Sequence, residues 1–260
     1  MSPARRKELA PRRWDRLREL IRDRQVVRVD DLCRQLKVSP ATIRRDLGEL
    51  EAQGEIRRVY GGAVSMQSKL DEPLFDDKAS IAAREKHRIA QAAVKYVNSG
   101  DTIYLDGGST VLELARLLRD RLNVTVLTNS LRAAVELAEA SGPRLILIGG
   151  ELRRLSQTLV GPLTGCVLRE LHLDKAFMGT IGLSLEDGLT TTDPSEAYTK
   201  ELVMRCAREV YLLVDSSKVG TVSFTRAGRL EDLSAVFTDN RIDRKVVREL
   251  KKRGINVVCA

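Results

Sequence analysis

Histidine and cysteine are scarce in this 260-residue chain: two histidines, His87 and His172, and four widely spaced cysteines, Cys33, Cys166, Cys206 and Cys259, with no CxxC pair. A zinc site of Cys and His therefore lacks its ligand spacing. No motif surrounds either histidine, so Cys–His and Ser–His hydrolysis drop from the leading functions. No apolar run approaches the ~18 residues of a membrane-spanning helix, and the opening Met-Ser-Pro-Ala-Arg-Arg-Lys has no apolar stretch of the secretory kind. The expectation is a cytoplasmic protein with reduced cysteines, no metal and no membrane partner. Hydrophobic residues at 43% and charged residues at 31% fit a globular protein, and the length favours two domains.

What the chain does have is positive charge, concentrated at one end. Net charge is +8; residues 1–62 carry 16 basic and 10 acidic side chains, the remainder 28 and 26. That asymmetry predicts a small domain for a polyanion joined to a larger, nearly neutral one, with a basic tail as the simpler alternative.

Hydrophobic periodicity favours the domain. Trp14, Leu17, Leu20 and Ile21 form a helical stripe; a second helix is predicted from Asp30 as N-cap, burying Leu32, Cys33 and Leu36 and stopping at Lys37-Val38. A third has Ser39 as N-cap, Pro40 at its first position, Ile43, Leu47 and Leu50 at i, i+4, i+7, and Gly54 as terminator. With its apolar stripe turned inward, this helix presents Ala41, Thr42, Arg44 and Arg45, residue types that read base edges in the major groove. An Arg pair alone reads as a solvated helix face, but the preceding helix and tight turn favour DNA. The β-prone stretch 55–62 then predicts a wing carrying Arg57, Arg58 and Tyr60 to the phosphate backbone.

The run Val38-Ser39-Pro40-Ala41-Thr42-Ile43-Arg44-Arg45-Asp46-Leu47, with Gly54 and then Arg58-Val59-Tyr60-Gly61-Gly62-Ala63, resembles the DeoR family of bacterial transcriptional regulators. The resemblance implies a recognition helix over Ser39 to Asp46 and double-stranded operator DNA as partner. Tyr60 stands where the family often has His.

Domains are predicted at 1–62 (winged helix-turn-helix), 63–80 (linker) and 81–260 (effector sensing). In the last, strands alternate with helices, which predicts an open, mostly parallel α/β sheet. Small and hydrogen-bonding residues follow the strands: Asp106-Gly107-Gly108-Ser109-Thr110, Thr128-Asn129-Ser130, Gly149-Gly150, Gly179-Thr180 and Asp215-Ser216-Ser217-Lys218. In open α/β sheets that carboxyl edge binds ligands, and a glycine loop opening a helix suits a phosphate. Tight strand-to-helix turns want the same residues, so one such loop alone decides nothing. Glu196 and Lys200, four apart, read equally as a surface ion pair and as pocket residues. Lys218 reads as a point charge for phosphate, or as an ordinary surface lysine.

These segments, with Glu85-Lys86, Asp174-Lys175-Ala176-Phe177, Gly188-Leu189-Thr190, Glu196 and Lys200, look like the family's effector domain in order. The resemblance implies a sugar-phosphate sensor folded like ribose-phosphate isomerases, with Asp174, Glu196 and Lys200 among its pocket residues. Gly108-Ser109-Thr110 stands where the family often has Gly-Thr-Thr. The expected function is a transcriptional regulator, commonly a repressor released by a phosphorylated sugar, acting as a homo-oligomer and using no cofactor. The alternative is an active sugar-phosphate isomerase in which Asp106, Asp174 or Glu196 shuttles a proton with Lys200 or Lys218.

Overall fold

A computed structural model describes residues 10–24, 26–53, 55–59, 61–65 and 72–260. The chain forms two compact units, Met1–Pro73 and Leu74–Ala260.

The first unit comprises α1 (Ala10–Arg24), β1 (Val26–Arg28), α2 (Val29–Leu36), α3 (Pro40–Ala52), β2 (Ile56–Val59) and β3 (Gly62–Ser65). Leu17 and Ile21 of α1, Leu32 and Leu36 of α2, and Ile43, Leu47 and Leu50 of α3 share one buried core, so the periodic stripes face one another. Lys37 adopts a left-handed conformation (φ 53°) and makes the turn between α2 and α3. The strands form an antiparallel sheet of order β1-β3-β2. A Cβ on Gly62 would lie 2.0 Å from the Val27 carbonyl oxygen, so β1 can close against β3 only because that residue is glycine.

Three expectations are corrected. Asp30 is not the N-cap of α2: β1 runs directly into the helix, Arg28 holds the cap position, and Asp30 and Asp31 lie in the first turn, where their charges favour the helix dipole. Cys33 is only partly buried. Both ends of the expected 63–80 linker are structured, the first by pairing of β3 and the last by α4 (Phe75–Ser80), which packs Phe75 into the core of the second unit. Gly54 and Tyr60 lie outside the described residues.

The second unit continues with α5 (Ala83–Ala93), β4 (Thr102–Leu105), α6 (Ser109–Leu117), β5 (Thr125–Thr128), α7 (Leu131–Ala138), β6 (Arg144–Leu147), β7 (Glu151–Arg153), β8 (Thr158–Val160), α8 (Pro162–Leu168) and β9 (Leu173–Met178). Then follow β10 (Gly182–Ser184), β11 (Gly188–Thr191), α9 (Pro194–Cys206), β12 (Ala207–Leu213), β13 (Thr225–Gly228), β14 (Ala235–Thr238), α10 (Arg244–Lys252) and β15 (Asn256–Cys259). Seven strands form a wholly parallel sheet of order β15-β14-β12-β9-β4-β5-β6. Its faces are both covered: Ile103, Leu105, Phe177 and Phe237 enter one core, while Tyr104, Met178, Leu212 and Val236 enter the other. That two-sided burial explains the near-continuous apolar runs of the strands. Two antiparallel additions, β7-β8 and β10-β11-β13, were not predicted; their three- and four-residue strands are too short to show an alternation.

Candidate functional site

In the first unit, Ser39 caps α3 by accepting the Thr42 N–H at 3.3 Å, and the two hydroxyls lie 2.9 Å apart. Ala41, Arg44 and Arg45 are exposed and Thr42 half-buried. Neither arginine has a side-chain hydrogen bond or ion pair among the described residues, so both are available to DNA. Arg58, exposed on β2, donates its backbone N–H to Glu51 at 2.7 Å, and its guanidinium passes near Gly48 of α3, which seats the wing beside the helix. The side chain of Arg57 lies outside the described residues.

Asp46, within the sequence assigned to the reading helix, faces the other way. Buried on α3, it accepts Arg13 Nε at 2.6 Å, Arg13 Nη2 at 2.9 Å and Trp14 Nε1 at 2.9 Å. Burial raises its pKa, but these hydrogen bonds and the charges of Arg13 and Arg45 outweigh it and hold the carboxyl below its ordinary value. Asp46 thus fixes α3 to α1 and orients the exposed face.

At the carboxyl edge of the parallel sheet, the loop after β4 carries Asp106 to Thr110. A Cβ on Gly107 would lie 2.1 Å from Thr158 Cγ2, whereas Gly108, at φ 141°, has open space where a side chain would project. Gly108 leads into α6, whose N-terminus has no side-chain cap and no acidic residue in its first turn. Ser109 is partly exposed and Thr110 buried. A helix N-terminus with no side-chain cap and no acidic first turn is of the kind that suits an anion.

Beside this loop lies a buried charge network that overturns the surface-pair reading of Glu196 and Lys200. Lys200 is 2% exposed; its Nζ pairs with Asp106 Oδ2, lies 3.5 Å from Glu196 and donates to the Gly179 carbonyl at 3.1 Å. The Gly179 N–H donates to the same Asp106 oxygen at 2.9 Å. Burial lowers the Lys200 pKa, but Asp106 and Glu196 more than offset it and raise the pKa above its ordinary value. Arg153 of β7 lies 3.2 Å from Glu196 and 3.5 Å from Asp193, and donates to Thr192 at 2.8 Å. The network ties the ends of β4, β9 and β7 to the first turns of α9. Arg153 was missed because β7 has only three residues.

The other predicted residues divide. Thr128 donates to the Leu105 carbonyl at 2.7 Å and accepts the Ser130 N–H at 3.0 Å; Ser130 caps α7. Both serve the turn. Asn129 donates to the Leu159 carbonyl at 2.9 Å, holding the β7-β8 hairpin, while its buried Oδ1 has no hydrogen-bond partner among the described residues. Gly150 is needed for close packing, since a Cβ would lie 2.1 Å from Thr164 Oγ1; Gly149 faces open space. Asp215 caps a short turn (Ser216–Lys218) by accepting the Ser217 N–H at 3.1 Å, and Lys218 is partly exposed at the end of that turn.

Asp174 is a correction. It lies at the start of β9, the opposite edge of the sheet, where it accepts the Thr102 N–H at 2.9 Å and pairs with Arg208 at 3.6 Å. A parallel strand separates its two ends by its whole length, so Asp174 cannot share the pocket. Two further residues at the carboxyl edge were not assigned as site residues. Asp239, fully buried, accepts the Ser216 N–H at 2.7 Å and its hydroxyl at 2.9 Å; burial opposes its ionisation, but these and the Arg241 hydrogen bonds hold its pKa low. Lys86, also buried, donates to the Lys78 carbonyl.

Of the carboxylates at this edge, Asp106 is held by Lys200 and a backbone N–H and Glu196 lies against Arg153 and Lys200, while Asp174 is on the far edge. Comparison with known proteins identifies the family. Residues 13–69 match the DeoR-like helix-turn-helix domain and residues 81–240 the DeoR C terminal sensor domain. The HTH-type transcriptional regulator GlpR of Haloferax volcanii is 37% identical, the alignment covering 99% of this chain and 98% of that one. The lactose phosphotransferase system repressor of Streptococcus mutans is 38% identical over 90% and 94% of the two chains, and a putative aga operon transcriptional repressor of Escherichia coli O157:H7 is 33% identical over 95% and 92%. Among solved structures, ribose 5-phosphate isomerase A of Methanocaldococcus jannaschii aligns over 52% of this chain and 53% of its own, at 26% identity and a TM-score of 0.39, too distant to bear on function. With a reading head in one unit and a sensor-type sheet edge in the other, the chain belongs to the DeoR family of helix-turn-helix transcriptional regulators and is not an enzyme.

Proposed function

We propose that the protein represses a sugar-metabolism operon and leaves its operator when a phosphorylated sugar or related metabolite binds the carboxyl edge of the parallel sheet. The observation that carries this reading is the α6 N-terminus behind Gly108, which has no side-chain cap and open space where a side chain would project. Lys218 supplies a positive charge at the same edge, two strands away, a spacing of about 10 Å. The names of the GlpR, lactose and aga relatives support sugar metabolism as the context. Arg44 and Arg45 read bases, and Arg57, Arg58 and Tyr60 hold phosphates.

The working form is a cytoplasmic homo-oligomer, because one winged helix offers a small reading surface and a linked pair gains effective concentration on a repeated site. Leu163 and Val167 of α8, exposed at 72% and 48%, support a self-association surface. Among the described residues, no helix is long and apolar enough to cross a membrane. The test is a thermal-stability screen against sugar phosphates, followed by operator binding with each hit. A ligand at 100 times its Kd stabilises by about 2.7 kcal/mol; no stabilisation by any sugar phosphate defeats the reading, and sedimentation as a monomer both free and on operator DNA defeats the oligomer.

A further inference from the structure

Half of the basic excess in residues 1–62 precedes the helix-turn-helix match at 13–69: residues 1–12 carry Arg5, Arg6, Lys7 and Arg12 against Glu8 alone, +3 of the +6. The family match assigns these cations no role. Residues 1–9 lie outside the described residues, but the place where they join the fold is fixed. Arg13 and Trp14, in the first turns of α1, bond Asp46 of α3. Asp46 lies four residues after Thr42, hence on the same flank of α3 one turn further on, and the charge of Arg45 acts on its carboxyl. The start of α1 thus sits beside the reading face of α3. Arg12, one residue before this anchor, is exposed and has no hydrogen bond or ion pair among the described residues.

We infer that Arg5, Arg6 and Lys7 form a second DNA-binding element, an arm that enters the minor groove flanking the base pairs read by α3. The inference rests on α3 reading the major groove. From there the neighbouring minor groove is half a helical turn away, about 17 Å. Arg5 lies five residues before Ala10, where α1 begins, so the backbone spans up to about 17 Å, and the arginine side chain adds its own length. A narrow minor groove, as A·T-rich DNA has, concentrates negative potential and favours inserted arginine. Because that groove shows the same acceptors for A·T and T·A, the arm distinguishes A·T from G·C flanks and not one A·T order from the other.

The test uses the full chain and a duplex that it selects from a random library, with the flanking base pairs then set to A·T or to G·C. The wild type should bind the A·T-flanked duplex about tenfold more tightly. R5A/R6A/K7A should lose that difference and lower the salt slope by about 2 to 3, while keeping the base preference inside the selected site. Replacing flank adenine by 2,6-diaminopurine adds an amino group in the minor groove and leaves the major-groove edge unaltered; it should cost the wild type the same factor and the triple variant nothing. No flank preference in the wild type, an equal loss by R5A/R6A/K7A on both flanks, or unchanged wild-type binding to the diaminopurine duplex overturns the inference alone. A wild type that selects no sequence overturns base reading by α3 and this inference together.

Discussion

Lys200 of α9 and Asp106 at the end of β4 form an ion pair almost closed to water, their side chains 2% and 3% exposed. Asp106 also receives the Gly179 N–H, so the residue that opens the phosphate-type loop is a strut between strands β4 and β9 and helix α9, and not a free ligand for a sugar.

Removing Asp106 should therefore damage folding before it damages sensing. Asp106→Ala leaves the Lys200 charge buried and is expected to cost about 3–5 kcal/mol, whereas Asp106→Leu with Lys200→Met should cost much less, as measured by urea unfolding. The pH dependence has a definite sign. Lys200 has its pKa raised in the folded state, so its stabilisation is present in full below the ordinary lysine value of 10.5 and is lost as pH rises through the folded value. A single variant as stable as the wild type, or a double variant as unstable as the single, contradicts this account.

Asp46 makes the opposite titration prediction in the first unit. Its pKa is held below 3.8 by Arg13 and Trp14, so its contribution is present above that value and disappears as pH falls through the folded value. Asp46→Asn should lower stability by about 3 kcal/mol, since Arg13 is left largely buried beside a neutral amide, and should flatten the acid limb of unfolding followed by Trp14 fluorescence. An unchanged acid limb would mean that the Asp46 pair does not hold α1 to α3.

On DNA, the two arginine pairs should separate. Arg44→Ala or Arg45→Ala should relax preference at one base position by about 1–3 kcal/mol, whereas loss of Arg57 or Arg58 should weaken all sequences alike and flatten the salt slope. Anisotropy titrations on selected and random duplexes at several salt concentrations read both effects. Equal losses on both duplexes for Arg44→Ala and Arg45→Ala would remove them from base reading.

Gly108 and Lys218 should govern sensing with little effect on the reading head. At φ 141° and ψ 150°, Gly108→Ala meets no steric neighbour but adopts a conformation that costs a non-glycine residue about 1–3 kcal/mol; the loop should shift and phosphate affinity should drop. Lys218→Met should lose phosphate affinity while keeping operator binding. Calorimetry and operator binding on the same samples check both, and wild-type ligand affinity in the two variants would place the effector elsewhere.

Local chemistry made the helices and the parallel strands legible. Ser39, Pro40 and the spacing of Ile43, Leu47 and Leu50 define α3 because capping and periodicity act within a few residues, and the runs before Asp106, Thr128 and Asp215 are apolar because both sheet faces are covered. The residues around the recognition helix and after the strands likewise sufficed for the family. What no window of sequence contains is the pairing of residues far apart in the chain: Lys200 with Asp106, Arg153 with Glu196, Asp46 with Arg13. Nor does it contain the edge on which a residue falls, which removed Asp174 from the pocket although its motif is intact. The sequence alone determined the elements and their order, through short-range sterics and hydrogen bonding; the tertiary structure alone decided which charges are buried against each other, because only there does desolvation force a carboxylate to take a cation in place of water or ligand.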